Sequence, residues 1–332
     1  MKRLNNLATW SLAAIMLSAC SQRNATPAPV AETLDPEVEV GPYTVTALAS
    51  DIYHIQDYNH ENPAGETFNE QGEKTHFNNC SDLYLLRGSD KALLIDLSNR
   101  ITWAENADES LRQLVAERCQ GKPLTITFTH NHGDHTGMLP AFEGDTTVLF
   151  MLPRQDFEAL TDKFPAGLRY EMYDEGYLFD LGGLEVNTVL VPGHTHGSMV
   201  FDVKGRNMLM TGDAIGSGHG VWIFNAEGFD EYTASVPRLL AYVDNPDNGI
   251  DTTQLRIYGG HYWQKDWLEL AEGEELGYAY LRDMNTLVDQ IHAGTAAHEP
   301  SNLNFGALDT YFRLNNSIVV WNLEQSEALR KE

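Results

Sequence analysis

The stretch Leu124-Thr125-Ile126-Thr127-Phe128-Thr129-His130-Asn131-His132-Gly133-Asp134-His135 changes character at its midpoint. In its first half Leu, Ile and Phe alternate with Thr, the period-two pattern of a strand, and Gly121-Lys122-Pro123 punctuates the chain just ahead of it. In its second half His130, His132, Asp134 and His135 fall within six positions. A strand that gives way to a polar loop presents such groups beyond its edge on a rigid base. Taken alone, the same four residues also suit a solvated loop.

Three more apolar runs end in the same way. Residues 184–191 lead into Pro192-Gly193-His194, a hairpin of 199–203 and 207–211 leads into Gly212-Asp213, and residues 255–258 lead into Gly259-Gly260-His261. Residues 43–49, 82–86 and 92–96 have the chemistry of an antiparallel opening sheet, and 147–151 is a further strand. Helical spacing marks 108–118, where Leu111, Leu114 and Val115 share a face, and recurs over 229–243 and 275–292. This alternation predicts an α/β fold of two sheets covered by helices, with residues 309–323 completing the second sheet.

The 332-residue chain carries 22 Lys and Arg against 48 Asp and Glu, a formal charge of −26. A field of that sign repels polyanions unless basic residues cluster, and the sequence holds no such cluster, so no nucleic-acid partner is expected. A composition of 42% hydrophobic and 21% charged residues excludes disorder and coiled coil as descriptions of the whole.

At the N-terminus, Met1-Lys2-Arg3 and an apolar run over 7–17 precede Leu17-Ser18-Ala19-Cys20. This resembles a bacterial lipoprotein signal: residues 1–19 are the signal peptide and Cys20 is the lipidated residue. It implies an exported lipoprotein anchored by lipid in the membrane, with Ser21 pointing to the outer membrane facing the periplasm. Residues 20–41 then read as a flexible tether and 42–332 as the catalytic domain. Cys80 and Cys119 remain, and spacing leaves open whether they form a disulfide.

Five of the 12 histidines join two aspartates in the candidate ligand set. Imidazole nitrogen and carboxylate oxygen suit two Zn²⁺, although iron or manganese also fits these donors. His130, His132 and His194 suffice for one ion and Asp134, His135 and His261 for a second, while Asp213 has two oxygens with which to bridge them.

In order and separation, His130 through His135, His194 in Pro-Gly-His-Thr-His-Gly-Ser, Asp213 in Thr-Gly-Asp and His261 in Gly-Gly-His resemble the metallo-β-lactamase-fold hydrolase superfamily over roughly residues 42–322. The resemblance implies a four-layer αββα sandwich with the metals between sheet edges, and the same division of the seven ligands. It also makes Asp96 a support for the ligands, although Leu97-Ser98 stands where the family usually has Thr-Gly. A complete ligand set with Asp213 is closer to lactonases, thioesterases and phosphodiesterases than to β-lactamases.

Two divalent ions lower the pKa of a shared water, so a metal-bridging hydroxide is the expected nucleophile, oriented by Asp134, on a small ester, lactone, thioester or amide. His196, Trp222 and Tyr262 are candidates for substrate contact or ligand support. Tyr53, His54, Tyr58 and His60, and likewise His219 and Phe224, are weaker candidates for pocket walls. The competing readings are a phosphodiesterase, a β-lactamase, an iron-dependent redox enzyme and a noncatalytic envelope binding protein. Beyond a small-molecule substrate and the lipid anchor, sequence identifies no partner.

Overall fold

Apolar residues at alternate positions build a large sheet from the first half of the chain. The computed structural model describes residues 37–57, 67–68, 74–76, 80–165, 167–217, 220–261, 276–301, 303 and 308–329. Strands β1 (Val38–Val40), β2 (Tyr43–Ala49) and β3 (Ile52–Gln56) open the fold, and a separate pair, β4 (Thr67–Phe68) and β5 (Lys74–His76), follows. Next come β6 (Asp82–Arg87), β7 (Ala92–Ile95), helix α1 (Ala107–Cys119) and β8 (Leu124–Thr127). After the short helix α2 (Gly133–Thr136), β9 (Leu149–Pro153), α3 (Arg154–Phe157) and β10 (Arg169–Tyr173) complete an eight-stranded sheet ordered β1-β2-β3-β6-β7-β8-β9-β10. Strands β2, β3, β6 and β7 are antiparallel, whereas β7, β8, β9 and β10 run parallel.

The second sheet, five-stranded, is ordered β11 (Leu178–Asp180), β12 (Glu185–Leu190), β13 (Met199–Val203), β14 (Met208–Gly212) and β16 (Arg256–Gly259). The two sheets face each other across a core to which Leu93, Ile95 and Met151 contribute from one and Val186, Phe201, Met210 and Tyr258 from the other. On the outer face of the first sheet, Leu94 and Ile126 pack with Leu111, Leu114 and Val115 of α1. On the outer face of the second, Val200, Leu209 and Ile257 pack with Phe229 and Leu239 of α4 (Ala226–Asp244) and Met284 and Leu287 of α5 (Tyr278–Ala293). Neighbours such as Leu93 and Leu94 thus serve opposite faces of one strand, the consequence of its two-residue period. The layers are helix, sheet, sheet, helix, as expected.

Residues 309–323 do not complete the second sheet. They form β18 (Thr310–Leu314) and β19 (Ser317–Trp321), which join β15 (Val221–Trp222) and β17 (Ala297–Pro300) in a four-stranded sheet ordered β15-β19-β18-β17. The position beside β14 is taken by β16, which pairs with it in parallel. Trp321 is fully buried there and stacks on Phe229 with centroids 4.2 Å apart. β1 pairs with β2 through Val38 and Val45, so residues 38–40 belong to the first sheet and not to the expected tether. Cys80 and Cys119 are both buried and free, so they form no disulfide.

Candidate metal centre

Each ligand candidate follows the C-terminal end of a strand. His130 to His135 follow β8, His194 follows β12, Asp213 directly succeeds β14 and His261 follows β16. Two parallel or facing sheets whose strands end on one side collect those loops at a single rim. There the side chains form two groups, His130, His132 and His194 in one, and Asp134, His135, Asp213 and His261 in the other. Within each group the ligand atoms lie within 4.8 Å of one another, close enough for both groups to chelate metal.

The rings are aimed by their outward nitrogens. His194 Nδ1 lies 2.9 Å from the carbonyl of Trp222, and His261 Nδ1 lies 2.5 Å from that of Cys80. A carbonyl only accepts, so in both rings Nδ1 carries a proton and Nε2 is the nitrogen turned toward the other ligand candidates. His135 Nδ1 is 3.0 Å from Asp96 Oδ2, which fixes the same tautomer. Thr129 Oγ1 donates to Asp96 Oδ2 at 2.7 Å and therefore accepts from His130 Nδ1 at 3.0 Å. One carboxylate thus orients an imidazole of each group, directly for His135 and through Thr129 for His130. Asp96 is buried and also takes the Thr129 backbone N–H at 2.7 Å.

The Nε2 atoms of His130 and His135 are buried without a hydrogen-bond partner. Leaving such atoms unpaired costs about 1–3 kcal/mol each, whereas a cation uses their lone pairs. His132 turns Nδ1 inward, 3.0 Å from His194 Nε2. Asp213 stands between the groups: its Oδ2 is 3.5 Å from His194 Nε2 and 3.4 Å from His261 Nε2, while Ser217 Oγ donates to its Oδ1 at 2.6 Å. The donor set and its orphaned nitrogens fit metal ions. Gly260 permits this approach, because a Cβ there would lie 2.5 Å from Asp213 Oδ1 and 2.6 Å from His135 Cε1.

The two groups differ electrostatically. Burial and neighbouring imidazoles hold His130 well below the usual histidine range, and burial first, with His194 beside it, lowers His132 to about 4. Burial alone would lower His135 and His261 as well, but Asp213 and the other carboxylates around them prevail and raise both. Asp134 and Asp213 are pulled below the usual carboxylate range by those histidines, against burial.

Asp57 braces the same corner. Its Oδ1 accepts the Ser81 N–H at 2.8 Å and its Oδ2 accepts the N–H and Nδ2–H of Asn99 at 3.0 and 2.9 Å. Burial pushes its carboxyl up to about 7, against those hydrogen bonds and with Asp82 adding to the rise. The folded state therefore holds this proton more tightly than the unfolded chain. Its stabilising contribution is present below the unfolded value of about 4 and is lost as pH rises through the folded one. Urea unfolding of Asp57→Asn should accordingly shift in the variant's favour, relative to the wild type, between about pH 4 and about pH 8. A stability difference independent of pH would contradict this.

Of the remaining sequence candidates, Trp222 contributes its backbone carbonyl to His194, and its ring meets Phe224 edge-on at 6.4 Å. His196 points outward, 59% exposed, with Nδ1 2.8 Å from Glu231. Tyr53 packs under Arg87 and Arg118, and His54 is buried against Asp82 at 2.7 Å. Cys20, Tyr58, His60, His219 and Tyr262 lie outside the described residues. Sequence reading missed Thr129, for which adjacency to His130 was a usable signal, Ser217, four residues beyond Asp213, and the Cys80 carbonyl, for which there was no signal. At Ser98, where the family usually has Gly, the backbone keeps the left-handed conformation, with φ 55°.

Residues 81–277 match the model of the metallo-beta-lactamase superfamily. An atrochrysone carboxyl ACP thioesterase from Claviceps purpurea is 28% identical over 161 residues, covering 48% of this chain and 47% of that protein. An acyl-coenzyme A thioesterase from Gallus gallus is 25% identical over 221 residues, covering 59% and 74%. The chain spans less than half the length of the fungal relatives it matches, among them a lactamase-like protein from Pestalotiopsis fici at 41%. In fold it is similar to a metallo-beta-lactamase from Pontibacter korlensis, with TM-score 0.53 and 14% identity over 74% of this chain and 99% of that one.

These relatives correct the expected address. The curated relatives named above are fungal and animal, so the assignment to a bacterial outer membrane facing the periplasm, and with it the lipid anchor as a partner, is withdrawn. That assignment rested on Met1-Lys2-Arg3, the short apolar run, Leu17-Ser18-Ala19-Cys20 and the single residue Ser21 after it, and residues 1–36 lie outside the described part. Among the described residues no helix is long and apolar enough to cross a membrane. The matched segment covers more than half of the chain and contains every histidine and aspartate of both groups, and the chain belongs to the metallo-beta-lactamase superfamily.

Proposed function

We propose that this chain is a metal-dependent hydrolase of small esters or thioesters that works with two zinc ions, and that residues 42–332 form its catalytic part. The observation that carries the reading is the convergence on Asp213, whose Oδ2 lies within 3.5 Å of a histidine from each group. His130, His132 and His194 would hold one ion, Asp134, His135 and His261 the other, and Asp213 both. When bound, such a pair supplies Lewis acidity and a water acidified to near neutral pH.

The chain's own groups do the rest. Asp134, whose side chain is 25% exposed, is the carboxylate open to solvent and is suited to orient a nucleophile and pass on its proton. Asp96 and the carbonyls of Trp222 and Cys80 keep the imidazoles from turning. The Phe224 ring, 5.7 Å from His132 and 5.4 Å from His194, offers an apolar wall for an acyl group beside the first ion. The thioesterase names of the Claviceps purpurea and Gallus gallus relatives support an acyl thioester or ester as the substrate class.

Zinc-loaded protein should hydrolyse short acyl thioesters or esters faster than lactones, β-lactams or phosphodiesters, with the rate lost on chelation and regained with zinc. Protein holding two ions per chain that cleaves none of these thioesters or esters would overturn the reading.

A further inference from the structure

Strands β8 and β9 are parallel neighbours, with Thr127 opposite Met151. The turn of helix that follows β9 therefore stands beside the loop that follows β8. From that turn Asp156, buried at 6% exposure, reaches both loops that carry the three-histidine group. Its Oδ2 accepts the backbone N–H of Asn131, between His130 and His132, at 3.1 Å, and the hydroxyl of Thr195, next to His194, at 2.7 Å. Its Oδ1 accepts the backbone N–H of Gly197 at 2.6 Å. Asn131 Nδ2 returns a hydrogen bond to the Asp156 carbonyl at 3.0 Å.

Gly197 bears the mark of this contact. A Cβ built there would lie 2.6 Å from both the backbone nitrogen and Oδ1 of Asp156, and the residue is not in the left-handed region that would otherwise call for glycine. The Thr and Gly of His194-Thr195-His196-Gly197 thus both answer to one carboxylate 39 residues before Thr195. The three histidines come from loops of different sheets, and backbone pairing joins those loops at Met199 N–H to Thr129 carbonyl, 2.7 Å. Asp156 adds a second tie at the level of the ligands, through hydrogen bonds to a carboxylate, which are shorter and about twice as strong as neutral ones.

We propose that Asp156 is a positioning residue for the three-histidine site, bracing the His130–His132 loop against the His194 loop so that their imidazoles meet at metal-binding distance. This rests on the metal-centre reading above. Groups that orient ligands without touching the ion contribute about tenfold to a hundredfold in metal affinity.

The test measures zinc affinity by chelator competition on the full chain in two backgrounds. His261→Ala weakens the second group and leaves the three-histidine site to be read, and His132→Ala does the reverse. Asp156→Asn should weaken zinc binding by about tenfold to a hundredfold in the first background and leave it nearly unchanged in the second. Equal losses in both backgrounds would mean general loosening and would overturn the proposal, as would no loss in the first. Should Asp156→Asn fail to fold, Thr195→Val, which deletes one donor and keeps the carboxylate, decides the matter in the same way. A wild-type chain that takes up no zinc overturns the metal-centre reading, whereas normal uptake indifferent to these substitutions overturns this inference alone.

Discussion

His132→Ala is expected to lose one zinc ion per chain and about a thousandfold in turnover together. His132 is the one histidine of its group that turns Nδ1 inward, 3.0 Å from His194 Nε2, and it lies beside the apolar wall of Phe224. An alanine leaves two imidazoles where three met, and no nearby residue among those described replaces the missing nitrogen. Charge stabilisation by a bound metal amounts to several kcal/mol, and about 4 kcal/mol corresponds to a thousandfold in rate. Because burial holds His132 at about 4, it is neutral at ordinary pH and the substitution removes a lone pair and not a charge. Metal analysis paired with kinetics on whichever ester or thioester the wild type cleaves provides the check. A folded variant with both ions and normal turnover would end the assignment of this residue.

Asp134→Asn should cost about 10²–10⁴-fold in kcat, the range for a group that moves a proton in the rate-limiting step. The expected loss persists at saturating zinc. Asp134 Oδ2 lies 3.4 Å from His261 Nε2 and 3.9 Å from His135 Nε2, so the carboxylate is placed to hold the second group's cation together with both rings. Asparagine keeps the shape and one oxygen while deleting the charge and the capacity to accept a proton. Two effects are then separable. Weaker zinc binding to the second group appears as a higher metal concentration needed for half-maximal rate, and loss of proton transfer appears as a reduced kcat that added zinc does not restore. If excess zinc brings kcat back to within about tenfold of wild type, which is below the range for lost acid–base catalysis, Asp134 acts as a ligand only.

The cluster from His130 to His135 was legible in sequence because four potential ligands stand within six residues at the end of an obvious strand. His194, Asp213 and His261 were legible because each follows an apolar run and a glycine or Pro-Gly. The helices over α1, α4 and α5 were legible from apolar spacing, with ends displaced by a few residues. Strand β10 was not, since three of its five residues are exposed and it carries no apolar stripe. The sheet membership of β18 and β19 is not legible in sequence, because a strand's partner is a property of the space beside it, and β16 fills that space. The outer-membrane address failed for a different reason: a few small residues before a cysteine constrain very little.

By its order alone the chain determined which chemical groups stand at the strand ends, since period-two alternation specifies where strands stop and the residues just beyond are fixed by covalent succession. Tertiary structure alone decided which nitrogen each imidazole turns inward. That choice belongs to acceptors such as the Cys80 carbonyl, 181 residues from His261, and the Trp222 carbonyl, 28 residues from His194. Every residue has a carbonyl, so nothing in the sequence distinguishes these two, and only the packing of separate sheets brings them to the rings they orient.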